Sequence, residues 1–425
     1  MFIGREKELV LLQQDYIGKA VMVYGKRRVG KTTLIHELVR AKILPVALSF
    51  STLQDVFTYL NTLPQKMAVV IDEYPYLKVM NEPTTVDSVF QSIIDNRLGN
   101  IELILSGSHI GMMKDLLQEK NALYGRFAVT IKLNELNYLD TAKFYPDKTP
   151  YDKVAHYAVF GGSPFVNQAL RPTATLRENI VSTILNPVSA VYLYASQLLL
   201  SDYSVKINAE RIFAVIGNGK KRYSEIEDKL DVKKTGNLAK QMKPLRDLEI
   251  ISRNYPINKL NDSKKSTFEI NDNLLRFYFT FIYKNASALQ VLGAEAFYDE
   301  YVAPTLTDFI SRRFEGICRD YFSLQVRSGK LKGVRNIGSY YYDDPVHRKN
   351  GEFDVALELA DGYAIYEAKY YAQPMTLDEI HREAQQVANI KELAVKQLGF
   401  IAINGFVEQE KPYTYLDGND IFAGM

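Results

Sequence analysis

Cysteine is almost absent from this chain: Cys318 is the only one among 425 residues. That excludes an intramolecular disulfide and fits a reducing compartment. No Cys/His cluster has the spacing of a zinc site. An excess of one charge is also missing, with 52 Lys and Arg against 50 Asp and Glu. No global field therefore singles out nucleic acid, and any basic surface must be local. Long apolar runs are lacking too. The nearest, residues 188–200, is interrupted by Ser189, Ser196 and Gln197, which argues against a bilayer span. The opening Met1-Phe2-Ile3-Gly4-Arg5 has no signal-peptide pattern, and no internal repeat or low-complexity tract occurs. These absences predict a soluble, cytoplasmic protein with no membrane partner. At 47% hydrophobic and 24% charged residues, the composition is that of globular domains able to bury a core, two to four of them at this length.

What is present begins with Gly25-Lys26-Arg27-Arg28-Val29-Gly30-Lys31-Thr32, which matches the phosphate-binding pattern G-x-x-x-x-G-K-[ST]. The apolar run Ala20-Val21-Met22-Val23-Tyr24 before it reads as a buried parallel strand. Residues 33–39, starting at Thr33, read as a helix with Leu34, Ile35 and Leu38 on one face. In that context backbone N–H groups of the loop and helix start close around phosphate oxygens. Lys31 would reach the β- and γ-phosphates and Thr32 would ligate Mg²⁺, so ATP and Mg²⁺ are the expected cofactors.

Ala68-Val69-Val70-Ile71-Asp72-Glu73 places two carboxylates at the C-terminal end of a second buried strand, where open α/β sheets bind ligands. Asp72 would hold Mg²⁺, and Glu73 would polarise the attacking water. Residues 101–105 form a further strand ending in Ser106-Gly107-Ser108. Ser106 could sense a γ-phosphate or simply turn the chain. Arg126, in Tyr124-Gly125-Arg126-Phe127, could stabilise transition-state charge in cis or on a neighbouring subunit, or be an ordinary surface arginine. Strands at 46–50 and 127–131 complete an alternation of strands and helices, which predicts a parallel sheet covered on both faces.

This set resembles the P-loop ATPases of the AAA+/STAND class, in particular the archaeal-type ATPases. The matching residues are Phe2-Ile3-Gly4-Arg5-Glu6, the phosphate loop, Ile71-Asp72-Glu73, Ser106-Gly107-Ser108 and, in a small helical lid, Phe160-Gly161-Gly162-Ser163-Pro164. The resemblance implies that Gly4, Arg5, Gly162 and Pro164 lie near the adenine and that Arg126 responds to nucleotide.

After a turn at 146–150, lid helices are expected to about residue 200. Helices at 209–216, 223–230 and from 233 to about 248, followed by strands at 250–253 and 266–270, read as a winged helix-turn-helix. A capping box is expected at Ser224 and Glu227. The third helix carries Lys233, Lys234, Lys240 and Lys243, with Asn237 and Gln241 able to reach base edges. The wing carries Lys259, Lys264 and Lys265. DNA contact is one reading of these residues. A protein-contact surface, or a merely solvated lysine face, is the other.

In the C-terminal third, Asp354 and the pair Glu367 and Lys369 lie on two β-rich runs joined by Ala360-Asp361-Gly362, a hairpin signal. Glu367 and Lys369 share one strand face, and Asp354 can face them. Such carboxylates would bind Mg²⁺ while the lysine orients the hydrolytic water; an exposed hairpin with a salt bridge is the plainer reading. The pattern resembles the PD-(D/E)XK nuclease superfamily, with Glu315 as an auxiliary acid, Gln385 at a supporting position and Phe353 where many members have proline. Archaeal-type ATPases commonly carry such a domain after the winged helix.

The expectation is an α/β protein: a P-loop NTPase core with a parallel sheet (1–145), a helical lid (146–204), a winged helix-turn-helix (205–285) and an α/β nuclease-like domain (286–425). It would hydrolyse ATP and bind, and through Asp354, Glu367 and Lys369 cleave, nucleic acid. The alternatives are a nucleotide-dependent switch or scaffold that binds DNA, a protein partner or a second copy without cleavage, and an origin-initiator-like DNA binder.

Overall fold

The computed structural model describes the chain apart from residues 1–2, 39–49, 81–82, 202–208, 218, 232–236, 345–346, 348 and 424–425. The strand expected at 46–50 lies almost wholly outside the described residues. Two compact units emerge, Met1–Leu136 with Ser163–Phe165, and Asn137–Gly162 with Val166–Met425.

The first unit is built on four parallel strands, β1 (Ala20–Gly25), β2 (Met67–Ile71), β3 (Ile101–Gly107) and β4 (Phe127–Leu133), in the order β2-β3-β1-β4. Strand β1 lies between β3 and β4, and its side chains are buried on both faces. Strand alternation sends Met22 and Tyr24 into one core with Phe57, Phe90, Leu103 and Leu105. Val21 and Val23 enter the other, with Leu34, Ile35, Ile104 and Ile131. The α/β architecture with a parallel sheet is therefore as the apolar runs predict. Gly25 has a packing reason: a Cβ there would overlap the carbonyl of Leu133.

In the second unit, helix Pro150–Phe160 packs on the long helix Ala303–Arg327. The Tyr138 hydroxyl donates to the Ile421 carbonyl at 2.9 Å. The Tyr151 and Tyr370 rings stack at 4.3 Å, and the Tyr370 hydroxyl donates to the Tyr151 carbonyl. Three helices follow, Ala209–Ile216, Tyr223–Leu230 and Asn237–Asp247. They accompany the short antiparallel strands β5 (Lys221–Arg222), β6 (Ile251–Asn254) and β7 (Thr267–Ile270), ordered β5-β7-β6. The cap of the second helix differs from expectation: it is Glu225, not Glu227, whose carboxylate accepts from the Arg222 N–H, because the helix begins at Tyr223.

The C-terminal sheet has five strands, β8 (Asn336–Asp344), β9 (Lys349–Glu358), β10 (Tyr363–Lys369), β11 (Val395–Ala402) and β12 (Thr414–Asp417), in the order β12-β11-β10-β9-β8. Pairing is antiparallel from β8 to β10 and parallel from β10 to β12. Phe353, which stands where many members of the resembled superfamily have proline, is a core residue beside Tyr340, Ile365 and Val387.

The loop between β6 and β7 does not stand free. Ile257 donates its N–H to the Ser339 carbonyl of β8 at 2.8 Å and joins the sheet's apolar core. Asn258 exchanges two hydrogen bonds with the Tyr341 backbone. An edge strand with open N–H and C=O groups is thereby covered.

His156, fully buried on helix Pro150–Phe160, is neutral: Nδ1 faces the Asp152 carbonyl at 2.8 Å and Nε2 faces the Asn179 amide at 3.3 Å. Nδ1–H thus donates and Nε2 accepts, leaving no place for a second proton. Burial lowers its pKa from 6.5 to about 4. Unfolding releases that restraint, so the unfolded chain binds the proton first. The second unit should keep its full stability above pH 6.5 and lose it progressively towards pH 4, and His156→Gln should flatten this slope. Urea unfolding followed by circular dichroism at pH 7 and pH 4.5 measures both.

Candidate functional site

The first site surrounds the loop between β1 and helix Lys31–Leu38. Arg28 and Gly30 adopt φ of 62° and 90°, which curls the loop so that its backbone faces inward. The Lys31 ammonium lies in the concavity, donating to the carbonyls of Gly25 at 3.0 Å and Lys26 at 2.9 Å. Those contacts hold it where a phosphate would be met. Val29 is buried, and its carbonyl accepts from Arg5 at 2.8 Å; Arg5 also reaches the Asn134 carbonyl beyond β4 at 2.7 Å. Arg5 is itself only 6% exposed, so it acts as a brace across the loop. Gly4 precedes it with a φ of 70°. Arg27 donates to the Tyr76 hydroxyl, and Thr33 points outward from the helix. Arg28 lies over the Phe165 ring at 3.7 Å, Ser163 donates to the Arg28 carbonyl, and Pro164 stands 3.9 Å from where a Cβ of Gly30 would be. The Ser163–Phe165 tip of the expected lid therefore packs on the phosphate loop.

Asp72, at the end of β2, collects three donors: the Thr32 hydroxyl at 2.9 Å, the Glu73 N–H at 3.0 Å and the Ser106 hydroxyl. Ser106 is fully buried and serves this carboxylate. The Thr32 and Asp72 oxygens face each other, which is the donor set a Mg²⁺ on a bound nucleotide requires, so these residues fit that ion. Glu73 has a φ of 52°, and its carboxylate accepts from both the N–H and the hydroxyl of Ser108, at 3.0 and 2.9 Å. The carboxylate expected to act as base is thus held by an internal partner, which sequence pattern did not show. Arg126 makes a bidentate pair with Asp95, at 2.9 and 3.0 Å, rather than pointing at the loop.

The second site lies in the C-terminal sheet. Between Gly338↔Ala356 and Tyr340↔Phe353 the register shifts, so Asp354 and Val355 oppose the single Ser339. This bulge bends β9 at Asp354. Arg319 fixes the Asp354 carbonyl at 2.6 Å. The Lys369 ammonium pairs with Glu367 at 2.6 Å and Glu383 at 3.2 Å, while Lys220 pairs with Glu315 at 3.4 Å. Burial pushes the Asp354 carboxyl well above the ordinary range, and the charges of Glu315 and Glu367 push it the same way. Burial likewise raises Glu367 against the pull of Lys369. Burial opposes the Lys369 ammonium, but Glu367 and Glu383 outweigh it and raise its pKa.

Hairpin spacing thus brings Asp354, Glu367 and Lys369 together, with Glu315 joining from helix Ala303–Arg327, yet not as a cation's ligand set. Among the described residues no three acidic, His or Cys side chains stand where they could hold one metal ion. Lysines already take three of the carboxylates, Lys369 holding Glu367 and Glu383 and Lys220 holding Glu315. The supporting residue also differs. Gln385 is exposed and bonds Asn389, whereas Glu383 reaches Lys369 from helix Leu377–Ala388. Glu383 and Gln385 are two positions apart, and the helix's phase, fixed by Ile380 and Val387 in the core, decides which of them faces the site.

Of the residues expected to meet DNA, Lys233 and Lys234 lie outside the described residues. Asn237 opens helix Asn237–Asp247, on which Lys240 and Lys243 are exposed and Gln241 is half-buried, while Leu238, Met242 and Leu245 face the core. In the loop between β6 and β7, Lys265 is committed to Tyr341, bonding its hydroxyl and lying 3.8 Å from its ring centre.

Comparison with known proteins agrees with this division. Residues 18–140 match the family model of an AAA domain, and residues 278–385 match a family described as archaeal and bacterial proteins of unknown function. An uncharacterized protein of Methanocaldococcus jannaschii is 28% identical over 359 residues, covering 78% of this chain and 79% of the relative. Among solved structures, a Walker-type ATPase of Pyrococcus abyssi is similar with a TM-score of 0.48 and 19% identity, over 65% of this chain and 96% of that one. The ORC2 protein of Aeropyrum pernix has a TM-score of 0.41 and 10% identity, over 68% and 94%. The AAA-domain match and the loop geometry together support an ATPase of AAA-like type. No described helix is long and apolar enough to cross a membrane.

The Arg5 brace gives a direct test. Arg5→Ala leaves the Val29 and Asn134 carbonyls without this donor and should destabilise the first unit by roughly 2–4 kcal/mol. With no tryptophan in the chain, chemical unfolding is best followed by circular dichroism.

Proposed function

We propose that this protein is an ATP-binding and ATP-hydrolysing switch whose state is read by a nucleic-acid-facing module. The observation that carries the reading is the concerted arrangement of Lys31, Thr32 and Asp72 around a loop already curled for phosphate. Lys31 would exchange its two carbonyl partners for β- and γ-phosphate oxygens. Thr32 and Asp72 would hold Mg²⁺, which neutralises charge developing on the transferred phosphoryl group. Glu73 would orient the attacking water once it leaves Ser108. Gly4, Arg5 and Pro164 line the nucleotide's side of the loop in this reading, and Arg126 would have to leave Asp95 before it could meet a phosphate.

In this reading the three helices with β5, β6 and β7 are a winged helix-turn-helix, and Lys240 and Lys243 contact phosphates. The docked wing leaves the helix as the main contact surface. The fold of β9 and β10 is nuclease-like, and Asp354, Glu367 and Lys369 favour a second activity, nucleic-acid cleavage. The lysine-held carboxylates favour the alternative: a switch that binds DNA or a protein partner without cutting.

Two experiments test these readings. Lys31→Ala should weaken ATP binding roughly tenfold or more. Glu73→Gln should keep ATP binding and lower turnover roughly 10²–10³-fold. Calorimetric titration and phosphate release separate the two effects, and unchanged turnover in both variants would remove the ATPase. For the module, labelled duplex DNA, single-stranded DNA and RNA are incubated with Mg²⁺ or Mn²⁺, with and without ATP. The double change Lys240→Ala/Lys243→Ala should weaken DNA binding across sequences and lower the salt slope by about one per lysine. Cleavage lost in Lys369→Ala would establish the nuclease; binding without cleavage would establish the switch.

A further inference from the structure

Asp87 is a buried carboxylate of the first unit that the nucleotide chemistry leaves unused. It lies on helix Pro83–Asn96, is only 4% exposed and collects three donors: the Tyr74 hydroxyl at 2.7 Å, the Lys78 ammonium at 2.6 Å and the Asn121 amide at 2.8 Å. Tyr74 and Lys78 are four residues apart, so they leave one face of helix Tyr74–Met80 together. Both are buried, and the Tyr74 ring meets Phe90 edge-on at 5.0 Å. Burial and the Asp87 charge keep the Tyr74 hydroxyl protonated, so it donates. A buried ion pair adds little stability over an apolar pair of the same shape. What the directional bonds add is a fixed rotation and height for a short helix.

That helix starts beside the nucleotide site. Glu73 immediately precedes Tyr74 and has a φ of 52°, a conformation that a non-glycine residue keeps only when its surroundings impose it. The Tyr76 N–H donates to the Glu73 carbonyl at 2.9 Å, which makes the first turn continuous with Glu73. The Tyr76 hydroxyl accepts from Arg27 of the phosphate loop. Pro75 packs on Gly107, between Ser106 and Ser108: a Cβ on Gly107 would lie 2.7 Å from the Pro75 ring. Glu73 is thus anchored twice, its carboxylate by Ser108 and its helix by Asp87. Resting on the reading of Glu73 as the group that orients the attacking water, we propose that Asp87, through Tyr74, is the positioning residue of that glutamate. Asp87 acts through the helix, not on the nucleotide.

Full-length protein is assayed for ATP affinity by calorimetric titration and for turnover by release of labelled phosphate. Tyr74→Phe keeps the ring and removes only the hydroxyl. It should leave ATP affinity unchanged and lower turnover about tenfold, the scale of a small misplacement of a reacting group. In a Glu73→Gln background the same change should cost less than about twofold, because the group it positions is already gone. A structural role alone would lower both backgrounds equally. Asp87→Ala with Lys78→Met removes the buried charges and the acceptor, and should also lower turnover about tenfold. Asp87→Asn with Lys78→Met removes the same charges but keeps an acceptor for Tyr74, and should restore most of that loss. This second comparison decides the matter if Tyr74→Phe melts early by circular dichroism. Unchanged turnover in Tyr74→Phe, an equal loss in both backgrounds, or equal turnover in the two charge-free pairs would overturn the positioning role and leave Glu73 as the base. Undiminished turnover in Glu73→Gln would overturn the reading of Glu73 and this inference with it.

Discussion

A single carboxylate sets the geometry of the first unit's site. Asp72 ends β2, and the donors it gathers come from three places: the helix after β1, its own strand end and the end of β3. A charged acceptor with three donors is far better satisfied than a neutral one, so the strand ends are held in one register. Lys31 and Thr32 can lie where they do only because that register is kept. Arg5 does the same from the other side of the loop, tying Val29 to the segment after β4. The site is a meeting of strand ends, and each hydrogen bond across it also fixes the sheet.

Much of this was readable in the chain because the determinants are local. The phosphate loop, the buried strands at 20–24, 68–71 and 101–105, and the acidic strand end are contiguous patterns with a fixed physical meaning. The hairpin at 360–362 likewise brought Asp354 to Glu367 and Lys369. What escaped reading were partners distant in sequence. Ser108 holding Glu73, Asp95 holding Arg126 and Glu383 replacing Gln385 depend on helix phase and strand order, which no local pattern encodes. The loop between β6 and β7 shows this most clearly. DNA contact was one reading of its lysines, yet Ile257, Asn258 and Lys265 bond β8, because an open sheet edge offers more to a nearby strand-like loop than solvent does.

The two sites handle charge in opposite ways. The phosphate loop keeps a cation in place through neutral carbonyls, which give it up at little cost when a phosphate arrives. The C-terminal cluster crowds carboxylates and answers three of them with two lysines, Lys369 holding Glu367 and Glu383 and Lys220 holding Glu315. The first arrangement is poised to receive an anion.

The bond from Tyr138 to Ile421 has a consequence for how the chain is made. Its partners lie 283 residues apart, so the bond cannot form until the whole intervening stretch has been made. The four-stranded sheet of the first unit can form while synthesis continues, apart from its Ser163–Phe165 insert. Helix Pro150–Phe160 has no such freedom, since its platform, helix Ala303–Arg327 and the sheet behind Tyr370, does not yet exist. At ordinary rates of elongation those apolar faces wait for roughly ten seconds or longer. A chain cut before residue 303 would therefore leave them exposed.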